Sequence, residues 1–149
     1  MTKYPTSGDL AYSMRKGLHY TEGTWWIDLG IEGYAFRLMD LDRVLVAMDN
    51  LGRLTVNRGY LWDGSSGPTR DGPADPVPSL VHDAIYEAMR CRALPFSIRK
   101  KSDAVYRDLL LERGMAGARS WGRYIGLRLV GGASAAPIRG PQYPKRLAK

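Results

Sequence analysis

The residues best suited to do chemistry lie in Ser79-Leu80-Val81-His82-Asp83-Ala84-Ile85-Tyr86. On a helix His82 and Tyr86 are four apart and share a face. Val81 and Ile85, also four apart, mark the neighbouring apolar stripe, so His82 is expected beside the core. A second helical segment holds Ser102-Asp103-Ala104-Val105-Tyr106. The spacing leaves room for a helix, a short loop containing Pro95 and a return, so antiparallel packing would bring Asp103 to His82. A carboxylate bonded to one ring nitrogen fixes the histidine tautomer and leaves the other nitrogen as a base. Asp83 points around the helix from His82. It could approach a cation held by loop carbonyls, with Asp63 as second carboxylate, and oxygen ligands suit calcium or magnesium. The same residues also fit a purely structural role. Asp103 would then satisfy a core histidine, and Tyr86 would pack with its hydroxyl bonded.

Composition bounds the rest of the chemistry. The chain has 149 residues, 44% of them hydrophobic, which excludes wholesale disorder and fits one domain. The single cysteine, Cys91, excludes an internal disulfide framework. With His19 and His82 as the other soft ligands, a cysteine-rich zinc site is excluded too. Cys91 lies between Arg90 and Arg92, yet is expected to be an inert thiol, far along the helix from His82. Lys plus Arg total 22 against 15 Asp plus Glu, a formal net charge of +7. Such a balance suits an anionic partner, a lipid headgroup or nucleic acid, or serves solubility alone. No stretch approaches the ~20 apolar residues of a membrane-spanning helix. Met1 to Asp9 shows no apolar signal-peptide core, so the expected address is cytoplasmic or inside a particle assembled there.

Positioning these residues falls to elements readable from texture. Met1 to about Thr21 is polar and mixed, with no clear period. From Trp25 to Trp62 the pattern is strand-like: Trp25–Leu29, the alternating Gly33–Leu38, the apolar run Val44–Met48, and Arg53–Val56. Asp49-Asn50-Leu51-Gly52 between the last two reads as a hairpin turn. Trp25-Trp26 could be a stacking platform for bases, though one core residue and one edge is the commoner outcome. Trp62 to Pro78 is too rich in Gly and Pro for helix or central strand, and reads as a long loop carrying Asp63, Asp71 and Asp75. Helices follow from Ser79, a plausible N-cap, to about Cys91; from Ser97 to about Arg113, stopped by Gly114; and from Ala116 to Val130, ended by Gly131-Gly132. Arg90, Arg92, Arg99, Lys100 and Lys101 form a basic patch between the first two, and Arg119 and Arg123 share a face of the third. Strands first and helices last give an α+β fold with a small antiparallel sheet, one domain over 1–136. Residues 137–149 form a basic, proline-containing tail with charge +4, expected to order only on a partner.

Gly59-Tyr60-Leu61-Trp62-Asp63-Gly64-Ser65-Ser66-Gly67-Pro68, then His82-Asp83-x-x-Tyr86, then Ser102-Asp103-Ala104-Val105-Tyr106 and the aromatic Ser120–Arg128 segment resemble a phage and prophage family, domain-of-unknown-function family 1353. The resemblance covers roughly Val44 to Gly131, with Ser102 departing from the usual small apolar residue. It implies a phage-encoded origin, hence a place in the host cytoplasm or the virion, and supplies no activity. The His-Asp helix pair is also similar to the heart of phospholipase A-two. That likeness implies His82 as base, Asp83 as calcium carboxylate, Asp103 as orienter and Tyr86 as support, with calcium polarising an ester carbonyl. The disulfides of that family are absent, and its calcium loop has no clear equivalent. The sequence favours a non-catalytic virion or assembly component that docks other virion proteins. A calcium-assisted phospholipase-like ester hydrolase is the alternative, and nucleic-acid binding, resting on charge, a weaker one.

Overall fold

A computed structural model describes residues 2–63 and 75–136. Most of the Gly/Pro-rich loop, including Asp71, and the basic tail lie outside the described residues. Alternating burial lays out one four-stranded antiparallel sheet. It is built from β1 (Trp25–Asp28), β2 (Phe36–Asp40), β3 (Arg43–Met48) and β4 (Arg53–Val56), in the order β1-β4-β3-β2. Its core side carries Trp25, Ile27, Phe36, Leu38, Val46, Met48, Leu54 and Val56. The hairpin expected around Asp49–Gly52 joins β3 to β4, and the Asp49 carboxylate accepts the backbone N–H groups of Leu51 (3.0 Å) and Arg53 (2.9 Å). Of the tryptophan pair, Trp25 is core. Trp26 lies at the surface under the Arg53 guanidinium, 3.6 Å from its ring centroid, and so is not an open stacking platform.

The first strand-forming segments were not visible as a period. Tyr12–Arg15 and Leu18–Thr21 form a hairpin, and Leu61–Trp62 pairs with its second strand, giving a separate three-stranded sheet. Tyr12–Arg15 is largely exposed, so no buried-face alternation marks it. The turn is Lys16-Gly17, both at positive φ, the backbone shape of two-residue hairpins.

Gly52 sits at φ +93°, and a Cβ there would press into the backbone nitrogen of Ile31, with Gly30 N and Ile31 O at 3.0 Å. Since the obstacles are backbone, Gly52→Ala is expected to cost about 1–3 kcal/mol from the dihedral alone, and more for the displaced Ile31 backbone. Urea denaturation checks this; a midpoint equal to wild type would contradict the packing described.

Helix α1 spans Val77–Arg90, α2 Arg99–Glu112 and α3 Gly117–Val130, with a 3-10 turn at Phe96–Ile98 and a short α4 at Gly132–Ala135. Helix α1 begins two residues before the expected cap. Pro78 is tolerated in the first turn, where its missing N–H has no partner to lose. The Asp75 carboxylate takes the Val77 N–H at 2.9 Å, and Ser79 instead bonds Pro76 O and the Trp62 indole. Ser97 does not cap α2 either, because it is already inside the 3-10 turn that Pro95 initiates. Gly114, at φ +97°, ends α2 with the paired bonds Gly114 N–H to Leu111 O and Met115 N–H to Leu110 O, a Schellman motif. Helix α1 is buried along almost its whole length between the sheets and α2, whereas α3 buries only Ser120 among its described side chains.

Candidate functional site

Helix α1 presents His82 and Tyr86 one turn apart, and α2 presents Arg99 and Asp103 one turn apart. Asp103 meets His82 while Tyr86 meets Arg99, so the helices run antiparallel as their spacing requires. Asp103 is fully buried. Its Oδ1 accepts the Tyr86 hydroxyl at 2.6 Å and faces His82 Nε2 at 3.1 Å. Its Oδ2 accepts Arg128 Nη1 from α3 at 3.0 Å and lies 3.9 Å from Arg99 Nε. Arg99 Nε donates to the Tyr86 oxygen at 3.3 Å, and its Nη2 donates to the carbonyls of Leu127 and of Arg128, the latter at 3.1 Å. A cation on the last carbonyls of α3 also complements that helix's dipole. Gly131 makes the space: a Cβ there would sit 3.0 Å from the Tyr86 hydroxyl and 3.4 Å from Arg99 Nη2.

The electrostatics follow from this geometry. Burial works to raise the Asp103 value, but the hydrogen bonds from His82, Tyr86 and Arg128 outweigh it, and the carboxyl is held below the usual aspartate range. The Tyr86 hydroxyl is pushed up by burial and then by its bond to Asp103. Ionised Asp103 is an acceptor only, so a neutral His82 carries its hydrogen on Nε2 and its lone pair on Nδ1. Two rings pack against the imidazole: the Tyr86 ring lies 3.9 Å away centroid to centroid and the Tyr106 ring 4.9 Å, both tilted to it. The negative charge of Asp103 is balanced by two guanidiniums, as in a structural ion cluster.

His82, Tyr86 and Asp103 therefore meet as the sequence predicts. Asp83 and Asp63 do not join them. Asp83 is partly exposed and acts electrostatically on Tyr60; Asp63 is exposed at the end of Leu61–Trp62 and acts on His19. Neither carboxylate is without a partner. Among the described residues no three His, Cys, Asp or Glu side chains converge as a metal site, and the loop carbonyls proposed as calcium ligands lie outside those residues. Sequence reading missed Arg99 and Arg128. Arg99 counts as one cation of a solvated patch in the sequence, yet it is buried; its four-residue spacing from Asp103 is the signal that could have found it. Nothing in the sequence marks Arg128, which arrives on a third helix.

A second buried node sits nearby on α1. The fully buried Tyr60 donates to Glu87 Oε2 at 2.5 Å, and its backbone N–H bonds Thr21 Oγ1 at 2.9 Å, tying strand ends to the helix. Cys91 has its thiol pushed up by burial and then by Glu87, against the weaker pull of Arg90, in keeping with an inert role. No family model, curated protein or solved structure matches the chain.

Proposed function

We propose that the protein is a non-catalytic assembly component, of the virion type that its motif resemblance implies, whose rigid helical layer presents a docking surface to a partner. The observation that carries this reading is Asp103: fully buried, it is shared by His82 and Tyr86 on α1, by Arg99 on its own helix and by Arg128 on α3. One carboxylate thus fixes the relative placement of three helices. His82 is itself buried, with the Tyr86 and Tyr106 rings packed against it, as suits a histidine held in place by its neighbours.

One observation favours a second reading. Asp103 engages Nε2 and leaves Nδ1 as the basic nitrogen, which fits the general base of a calcium-assisted ester hydrolase of phospholipase type. A thermal melt separates the two. An enzyme that holds calcium through Asp83 gains stability by mass action, about 2.7 kcal/mol at a hundred times the dissociation constant, and loses that gain in Asp83→Asn. The assembly reading expects no calcium shift in the wild type. It also expects His82→Gln to lose roughly 1–3 kcal/mol, because a buried partner of Asp103 is changed. A calcium-dependent rise abolished by Asp83→Asn would overturn the assembly reading.

A further inference from the structure

The unexplained surface of this molecule is the outer face of α3. Trp121, Ile125 and Leu129 recur every fourth residue and are 50%, 53% and 79% exposed, and Val130 beyond them is 77% exposed. At 3.6 residues per turn, Ala118, Gly122 and Gly126 fall within or beside the same arc, so that arc is apolar from end to end. Arg119 borders it on one side; Arg123 and Arg128 lie at its edges but turn their guanidiniums inward, to the Tyr106 hydroxyl and to Asp103. Leu111, exposed at the end of α2, continues the patch past Gly117. Trp121 has two packing partners: the Arg107 guanidinium lies 4.4 Å from its ring centroid, and Tyr124 packs edge-on at 5.6 Å. A contiguous exposed apolar stripe of this kind marks an interaction site rather than chance exposure.

Charge decides what the site takes. From Arg113 to Lys149 the chain has eight Lys and Arg and no Asp or Glu. We infer that α3 is an interfacial helix that lays Trp121, Ile125 and Leu129 into the surface of an anionic lipid bilayer, with Arg119 at its border and the net positive charge of the C-terminal segment favouring anionic headgroups. A tryptophan-bearing apolar face in a segment that carries cations and no acid is the composition of helices that lie in the membrane interface. A second copy of the chain fits less well, since each copy brings the same cationic, acid-free segment to the contact. Nucleic acid fits less well because the centre of the arc is apolar. The helix lies on the bilayer and does not cross it: its 14 residues span about 21 Å, against about 30 Å of hydrocarbon, and no helix among the described residues is long and apolar enough to cross.

This names the partner of the assembly reading and rests on it for the rigid layer that holds α3 outward. The test uses the full chain and sedimentation with two vesicle preparations, one of phosphatidylcholine alone and one of phosphatidylcholine mixed with phosphatidylserine. Wild type is expected to sediment with the anionic vesicles, less so as salt rises. Ile125→Asp is expected to weaken that binding by about tenfold or more while melting like wild type, and Ile125→Leu to retain it. Three results would each overturn the inference. One is Ile125→Asp binding as tightly as wild type, which would assign the attraction to the basic tail. Another is equal binding to both vesicle types. The third is a concentration-dependent dimer, abolished by Ile125→Asp, in a chain that binds neither vesicle. The calcium melt is independent of vesicles, so failure here and failure of the assembly reading are told apart.

Discussion

Asp103→Asn is expected to destabilise the protein by about 3–5 kcal/mol, the usual cost of removing one partner from a buried ionic cluster. The substitution keeps the shape of the side chain and removes its charge. Arg99 and Arg128 then face a neutral amide, and the Tyr86 hydroxyl and His82 Nε2 lose their shared ionised acceptor. For a chain of this size the loss corresponds to a fall in Tm on the order of 10 °C. Urea denaturation at neutral pH measures it. A variant within about 0.5 kcal/mol of wild type would mean that the cluster is incidental to the fold. The pH dependence gives a second, independent reading. Asp103 has its folded-state value held below the ordinary aspartate value of about 3.9, so the folded protein binds fewer protons there than the unfolded chain does. Its stabilising contribution is complete above that ordinary value and is lost as pH falls through the depressed one. The gap between wild type and Asp103→Asn should therefore stay constant from neutral pH down to about 4, and narrow below it.

The three residues of the site that sequence reading found share a property: each is fixed by local periodicity. His82 and Tyr86 are one helical turn apart, and the return through Pro95 sets where Asp103 comes back. Arg99 obeys the same periodicity, but next to Lys100 and Lys101 it counts as one more surface cation, because charge counting along the chain carries no direction. Arg128 obeys no local rule. It reaches Asp103 only because α3 folds back over α2 and because Gly131 and Gly132 leave room for Arg99 beneath its end. The strands divide in the same way. Sheet faces that meet the core, such as Phe36–Leu38 and Arg53–Val56, alternate and are legible. Tyr12–Arg15 turns mostly to solvent and has no alternation to read. The order β1-β4-β3-β2 places Trp25–Asp28 beside Arg53–Val56, a pairing that spans the intervening hairpins and that no local pattern encodes. The start of α1 was read two residues late because proline marks a boundary in sequence and yet occupies the first turn of α1 in space.

The outward face of α3 follows from the same cluster. Arg99 bonds the carbonyls that end the helix and Arg128 bonds Asp103, so the polar flank of α3 is fastened inward. The apolar arc of Trp121, Ile125 and Leu129 starts at the edge of that flank and runs round the exposed side of the helix, towards solvent or a partner. A helix loosely attached could roll to bury these side chains against α2; one fastened at its C-terminal end cannot. The buried charges thus hold a surface that the hydrophobic effect alone would hide.

Raising the pH above 10 is expected to unfold the protein in one step that coincides with tyrosine ionisation. Tyr4, Tyr60, Tyr86 and Tyr106 are all buried. Burial raises each of their values, aided by Asp108 beside Tyr4, by Glu87 beside Tyr60 and by Asp103 beside Tyr86; burial alone pushes Tyr106 up to about 12. In the unfolded chain these hydroxyls ionise near 10. Below that pH their contribution to stability is complete. As pH rises from 10 towards the folded values, the unfolded state releases protons that the folded state keeps, and stability falls. Tyr60 and Tyr106 together give a slope of about 2.7 kcal/mol per pH unit over this range, and Tyr4 and Tyr86 add to it with the same sign. Against a total stability of about 5–15 kcal/mol, the transition is expected within about two pH units of its onset. Tyrosinate absorbance and far-ultraviolet circular dichroism, followed in one alkaline titration, should show the late-ionising tyrosines and the helix signal changing together. Tyr106→Phe removes one titrating group and should lower the slope by about 1.4 kcal/mol per pH unit. Ionisation that runs to completion while the circular dichroism stays unchanged, or a slope unaffected by Tyr106→Phe, would show that these hydroxyls are not held neutral by the fold.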